Sequence, residues 1–167
     1  MRMEASKPEN PALPVDELLM RRAISLAEEA GCCGEVPVGC VIADKTGRII
    51  GSGRNRREQN HDATAHAEIE AIRSACASTG DWRLDECSLY VTLEPCPMCM
   101  GAIINSRIPR IVFALRDRES GSCGSVIDLL SENYHHKAAV FSGCLERESA
   151  ELLKNFFKAQ RQSQKPE

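Results

Sequence analysis

Cys96 and Cys99 stand three residues apart in the segment Glu94-Pro95-Cys96-Pro97-Met98-Cys99. Pro97 suits the first turn of a helix, where a missing amide hydrogen leaves no bond unmade. The two thiols can therefore project from one face of a helix start toward a common point. A helix N-terminus also lowers a thiol's pKa and favours the thiolate that binds metal. Alone, this spacing fits a redox pair, half of a four-cysteine zinc site, or two core thiols. His66, in Ala65-His66-Ala67-Glu68 at the start of a second predicted helix, offers a third ligand, and no further C-x-x-C stands ready to close the set. Two thiolates and an imidazole fill three corners of a zinc tetrahedron and leave the fourth to water, as in hydrolytic sites. Glu68, two residues past His66, is placed to move protons to and from that water, whose pKa zinc brings toward neutrality. Taken singly, His66 reads as a hydrogen-bonded histidine and Glu68 as a solvated helix residue. Their combination with the thiol pair points to metal-assisted hydrolysis.

These residues need a scaffold. Asp16 is expected to cap a helix whose Leu19, Ala23, Leu26 and Ala30 share one face, with Gly31 at its end. Residues 38–43 and 48–53 read as two strands of a hairpin turning at Asp44-Lys45-Thr46-Gly47, followed by a polar loop over 55–62. Thr64 or Ala65 opens the helix of His66, with Ile69, Ile72 and Cys76 as its inward stripe and Gly80 at its end. Leu89, Val91 and Leu93 alternate as a third strand running into Glu94-Pro95-Cys96. After the helix of Cys99, Ile103 and Ile104 come strands at 108–114 and 138–141. A last helix over 145–160 carries Leu152, Leu153, Phe156 and Phe157. Alternating strands and helices predict an α/β protein with helices on both faces of a central sheet.

At 167 residues, 43% hydrophobic and 27% charged, the chain fits one soluble globular domain. The expected division is a mobile arm over 1–14, a single domain over 15–160 and a polar tail over 161–167. No apolar run approaches the roughly 18 residues a membrane helix needs, and the proline-bearing N-terminus lacks a secretory h-region, so a cytoplasmic protein is expected. Nine cysteines is an odd count without a secreted disulfide pattern. Cys32, Cys33, Cys40, Cys76, Cys87, Cys123 and Cys144 read as small buried thiols. His61 reads as a loop-orienting residue, and His135 and His136 as surface residues. A net charge of −3 argues against coating nucleic acid by bulk electrostatics, while Arg54, Arg56 and Arg57, the Arg116/Arg118 pair and the basic residues near the C-terminus form local clusters.

The pattern His66-Ala67-Glu68 followed by Pro95-Cys96-Pro97-Met98-Cys99 resembles the known mark of zinc nucleobase deaminases. The likeness extends further. Glu35-Val36-Pro37-Val38-Gly39, Asn55-Arg56, His61-Asp62, Thr64 to Glu68 and Leu89 to Cys96 resemble bacterial tRNA-specific adenosine deaminases. So do Met98-Cys99, Gly101-Ala102, Asn105 to Ile108, Arg116-Asp117, Gly124-Ser125 and Phe156-Phe157. The resemblance implies a cytidine deaminase-like three-layer sandwich with a mixed five-stranded sheet. It also implies a homodimer with one zinc per subunit, held by His66, Cys96 and Cys99. The implied reaction turns adenosine into inosine at wobble position 34 of a tRNA anticodon, that of tRNA-Arg(ACG). Asn55 would hydrogen-bond the flipped base, Val36 and Pro37 would wall its pocket, and Arg116 and Asp117 would border the anticodon loop. From the residues alone, Asn55 also fits a turn and Arg116-Asp117 an exposed ion pair. Two departures stand out: Ala63 is expected to loosen the loop before His66, and Leu115 to narrow the RNA groove. Deaminases of free guanine, cytosine or dCMP share the zinc motif and are the competing reading.

Overall fold

The computed structural model describes residues 14–163. The arm expected over 1–14 falls outside the described residues apart from Pro14. The chain runs α1 (Pro14–Cys32), β1 (Gly39–Ala43), β2 (Ile49–Arg54), α2 (Arg57–Asn60), α3 (Ala67–Thr79), β3 (Ser88–Leu93), α4 (Pro97–Asn105), β4 (Arg110–Leu115), β5 (Ala139–Ser142) and α5 (Glu146–Ser163). The five strands form one mixed sheet in the order β2-β1-β3-β4-β5. β1 pairs antiparallel with β2 and β3, whereas β3, β4 and β5 run parallel.

Helices cover both faces, so the central strands are apolar without alternation: every residue of β1 is buried. Cys40, Ile42, Leu89, Val91, Ile111 and Phe113 face a core closed by Ala67, Ala71, Met100 and Ile103 of α3 and α4. Val41, Tyr90, Val112 and Ala114 face the opposite core, built with Leu19, Met20, Ala23 and Leu26 of α1. This is the expected three-layer α/β sandwich.

The inward stripe of α3 differs from the expected one. Ala67, Ala71 and Ala75 are fully buried, while Ile69, Ile72 and Cys76 are half-buried. The cause lies across the interface, where β2 presents Gly51 and Gly53. A Cβ on Gly53 would stand 2.4 Å from the Ala67 carbonyl oxygen and 2.5 Å from the Ala71 nitrogen. Backbone thus packs on backbone, and only small residues fit the seam. Gly53→Ala is expected to destabilise the fold by at least about 2 kcal/mol through overpacking. A urea midpoint equal to wild type would contradict it.

Asp16 is not the helix cap. α1 begins two residues earlier, and the buried Asp16 carboxylate accepts two hydrogen bonds from Arg110, both at 2.9 Å, and one from the Tyr90 hydroxyl at 2.8 Å. This bidentate pair fastens α1 to the start of β4. Tyr90 is pushed up to about 12, first by burial and then by its bond to Asp16. Asp16→Ala leaves a half-buried guanidinium without its counter-charge and is expected to cost about 3 kcal/mol, measured by chemical denaturation. A loss below about 0.5 kcal/mol, the scale of a surface pair, would count against a buried role.

Other expectations shift in detail. The polar loop over 55–62 contains the four-residue helix α2, closed by His61 in the left-handed region at φ 50°. α5 continues through Ser163, into the stretch expected as a tail, because Gln160, Arg161 and Gln162 are good helix formers; 164–167 lie outside the described residues. Cys32 and Cys33 are exposed, since α1 ends there past the sheet. His136 is half-buried, with Nε2 2.8 Å from the Ile108 carbonyl.

Candidate metal centre and active site

β3 and β4 run parallel, and their carboxyl ends at Leu93 and Leu115 lie side by side. Three residues past the end of β3, Cys96 is the N-cap of α4. His66 is the N-cap of α3, and the two helices pack on the same core. Cys99, in the first turn of α4, is fully buried. Two helix N-termini therefore bring one imidazole and two thiols together.

His66 Nδ1 lies 3.6 Å from Cys96 Sγ and 3.5 Å from Cys99 Sγ. Among the described residues, these three form the group of ligating side chains close enough to share an ion. Zinc bonds of about 2.3 Å to sulfur and 2.0 to 2.1 Å to imidazole, opened to the tetrahedral angle, put a nitrogen and a sulfur about 3.5 Å apart. The observed separations match that edge, so the donor set fits zinc.

The charges agree. Cys96 is pulled down to about 4, first by its hydrogen bond with Cys99 and also by His66. Cys99 is driven up by the same bond and by burial, and His66 is raised chiefly by its bond to Cys96. A shared proton between two thiols is the arrangement a cation would displace. Glu68, 4% exposed in the first turn of α3, lies against Cys99 and is raised to about 7, foremost by burial. A carboxyl held near neutrality can take up a proton and release it again.

The rim gathers at the same end of the sheet. Asn55 follows β2 and is buried; its Nδ2 donates to the Val36 carbonyl at 3.3 Å and its backbone N–H to Val38. Arg56 N–H donates to the Ala65 carbonyl, which sets Asn55 beside the His66 segment. Pro37 is buried and Val36 half-buried next to them. The turn-stabilising role of Asn55 is thus present beside any role toward a base. Ala63 does not leave the loop untethered, because Asp62 Oδ1 accepts both the amide and the hydroxyl of Thr64, each at 2.7 Å. Leu115 is half-buried at the end of β4, opposite Leu93. Arg116 is exposed and lies 5.8 Å from the Phe113 ring centre. Asp117 turns its carboxylate onto its own loop, accepting the amides of Glu119 and Ser120 at 2.9 and 3.2 Å and the Ser120 hydroxyl.

Two buried carboxylates went unassigned from sequence. Glu35 accepts the amides of Glu58 and Gln59, pinning α2, and Glu94 gathers the loop after β4. Their signal was an acidic residue adjoining an apolar element within a motif.

The cytidine and deoxycytidylate deaminase zinc-binding region matches residues 14–115, which include the whole donor set and Glu68. A tRNA-specific adenosine deaminase of Bacillus subtilis (strain 168) is 44% identical over 151 residues, 90% of this chain and 93% of that one. The chain belongs to the tRNA-specific adenosine deaminase family of zinc deaminases. This deaminase is also 46% identical over 143 residues to a tRNA(Ile)-lysidine synthase of Deinococcus deserti, spanning 86% of itself and only 27% of that longer relative. A solved structure from a study of A-to-I editing by tRNA:A34 deaminases at the wobble position of transfer RNA superposes with a TM-score of 0.79. It is 43% identical and covers 81% of this deaminase and 99% of its own chain. No helix among the described residues is long and apolar enough to cross a membrane.

Proposed function

We propose that this deaminase converts adenosine to inosine at position 34 of a tRNA anticodon, that of tRNA-Arg(ACG), with His66, Cys96 and Cys99 holding one zinc per subunit. The observation that carries the reading is a buried carboxyl, Glu68, against a site of three ligating side chains, His66, Cys96 and Cys99. The names of the relatives support tRNA adenosine as the substrate class.

Bound zinc would supply an acidified water at its fourth position. Glu68 would take a proton from the attacking water as its oxygen bonds to C6 of the base, and would pass that proton to the ring nitrogen N1. The same carboxyl would then move the C6 hydroxyl proton to the exocyclic nitrogen, so that ammonia leaves and the C6 carbonyl of inosine remains. Asn55 orients the base by hydrogen bonding and Val36 and Pro37 wall it in. The base must leave its stack, which costs least in a single-stranded anticodon loop. Arg116 and the loop of Asp117 border that RNA, and the protein works as a cytoplasmic homodimer, residues 15–160 forming its single zinc-deaminase domain.

The test is incubation of zinc-loaded protein with an A34-containing tRNA-Arg, followed by sequencing for inosine. Conversion confined to position 34 is the expected result. Greater turnover of free guanine, cytosine or dCMP than of the anticodon stem-loop would replace this reading with the free-base one.

A further inference from the structure

The crossover from β4 to β5 spans residues 116–138 with no helix or strand of its own, and its first part converges on one side chain. Glu94 is 2% exposed. Its Oε1 accepts the amides of Cys123 at 2.9 Å and Ser125 at 3.2 Å, and its Oε2 accepts the amide of Asp117 at 3.0 Å and the Ser125 hydroxyl. The next carbonyl, that of Pro95, accepts both the amide and the hydroxyl of the fully buried Ser122, at 2.9 and 2.8 Å. A side chain on Gly121 would start 2.5 Å from the Glu94 carboxyl and 2.4 Å from the Asp117 carbonyl, so the loop closes on Glu94 only with glycine there. A carboxylate taken from water is tolerated when donors surround it. Here four donors come from one loop.

We propose that Glu94 is a positioning residue: it locks the 116–125 loop to the strand end that leads into Cys96, and so sets where Arg116 stands when tRNA docks. The geometry of the lock stands alone, while its consequence for RNA rests on the function proposed above. Glu94 sits two residues before a metal ligand, yet its hydrogen bonds go to Asp117, Cys123 and Ser125 of the loop. Its loss should therefore act on docking before it acts on chemistry.

Glu94→Gln keeps the shape but turns one acceptor into a donor facing amide hydrogens. Hydrogen exchange at Asp117, Cys123 and Ser125 is expected to speed up about tenfold or more, the scale of a lost charged hydrogen bond. On an anticodon stem-loop, KM is expected to rise about tenfold with kcat within about threefold, and zinc to stay bound in full. Unchanged exchange overturns the proposal, as does a fall in zinc content and kcat with KM unmoved, which would place Glu94 in the metal centre. Should Glu94→Gln fail to fold, Ser125→Ala removes the hydroxyl donor alone, and the same exchange and KM changes are expected at smaller size. No change there overturns the proposal too. Inactivity of the wild-type protein on the stem-loop would count against the proposed function, and the exchange data would still decide the lock.

Discussion

Glu68→Ala is expected to keep its zinc and lose nearly all turnover, with kcat down about 10² to 10⁴-fold, the range for removing a general acid-base. The expectation follows from where the carboxyl stands. It is buried against Cys99, outside the set of three donors, with its proton affinity raised to about 7. Burial disfavours the charged form and supplies a group that can both accept and donate a proton near neutrality. Truncation removes that proton carrier but leaves the imidazole and both thiols in place. Metal analysis should therefore read unchanged, and thermal stability should hold, because burying a carboxyl without full compensation is itself a cost. Single-turnover rates on tRNA, measured beside zinc content, check it. Retained turnover would remove Glu68 from the proton path.

What could be read from sequence was whatever repeats a fixed spacing. Cys96 and Cys99 at i, i+3 behind a proline, and His66 and Glu68 at i, i+2, carry their geometry locally, because both pairs open helices. The strands were legible too, β1 as an apolar run before a turn and β3 from the alternation of Leu89, Val91 and Leu93. Where sequence reasoning missed, the cause lay across the fold. Ile69 and Ile72 looked like the inner face of α3 until Gly51 and Gly53 brought the sheet too close for anything larger than alanine. Asp16 looked like a cap because its partner Arg110 is far along the chain. Asp117 was expected to border the substrate; its carboxylate accepts bonds from Glu119 and Ser120 and so also shapes the loop that carries the exposed Arg116. Glu35 and Glu94 escaped because a buried carboxylate and an exposed one look alike until the amides around them are known.

Cys96→Ala is expected to abolish both zinc binding and deamination, the largest combined effect of any single change considered. The residue holds two positions at once. Its sulfur is one corner of the donor set, 3.6 Å from His66 Nδ1, and its backbone carbonyl starts α4 by accepting the Met100 amide. Cys96 makes no side-chain capping bond and alanine keeps the backbone one, so α4 should survive the change. The metal should not. Cys96 is the thiol pulled down by its bond with Cys99 and by His66, which favours the thiolate that binds metal. Losing it leaves His66 and Cys99, and two protein ligands hold zinc far more weakly than three. Metal content is expected to fall from about one zinc per chain to about a tenth or less after dialysis against a mild chelator. Because ligand binding stabilises the folded state, the melting temperature should fall, and added zinc should no longer raise it. Full zinc retention in Cys96→Ala would show that other groups hold the metal and would undo the donor assignment, whereas loss of zinc here together with its retention in Glu68→Ala would separate ligand from proton carrier.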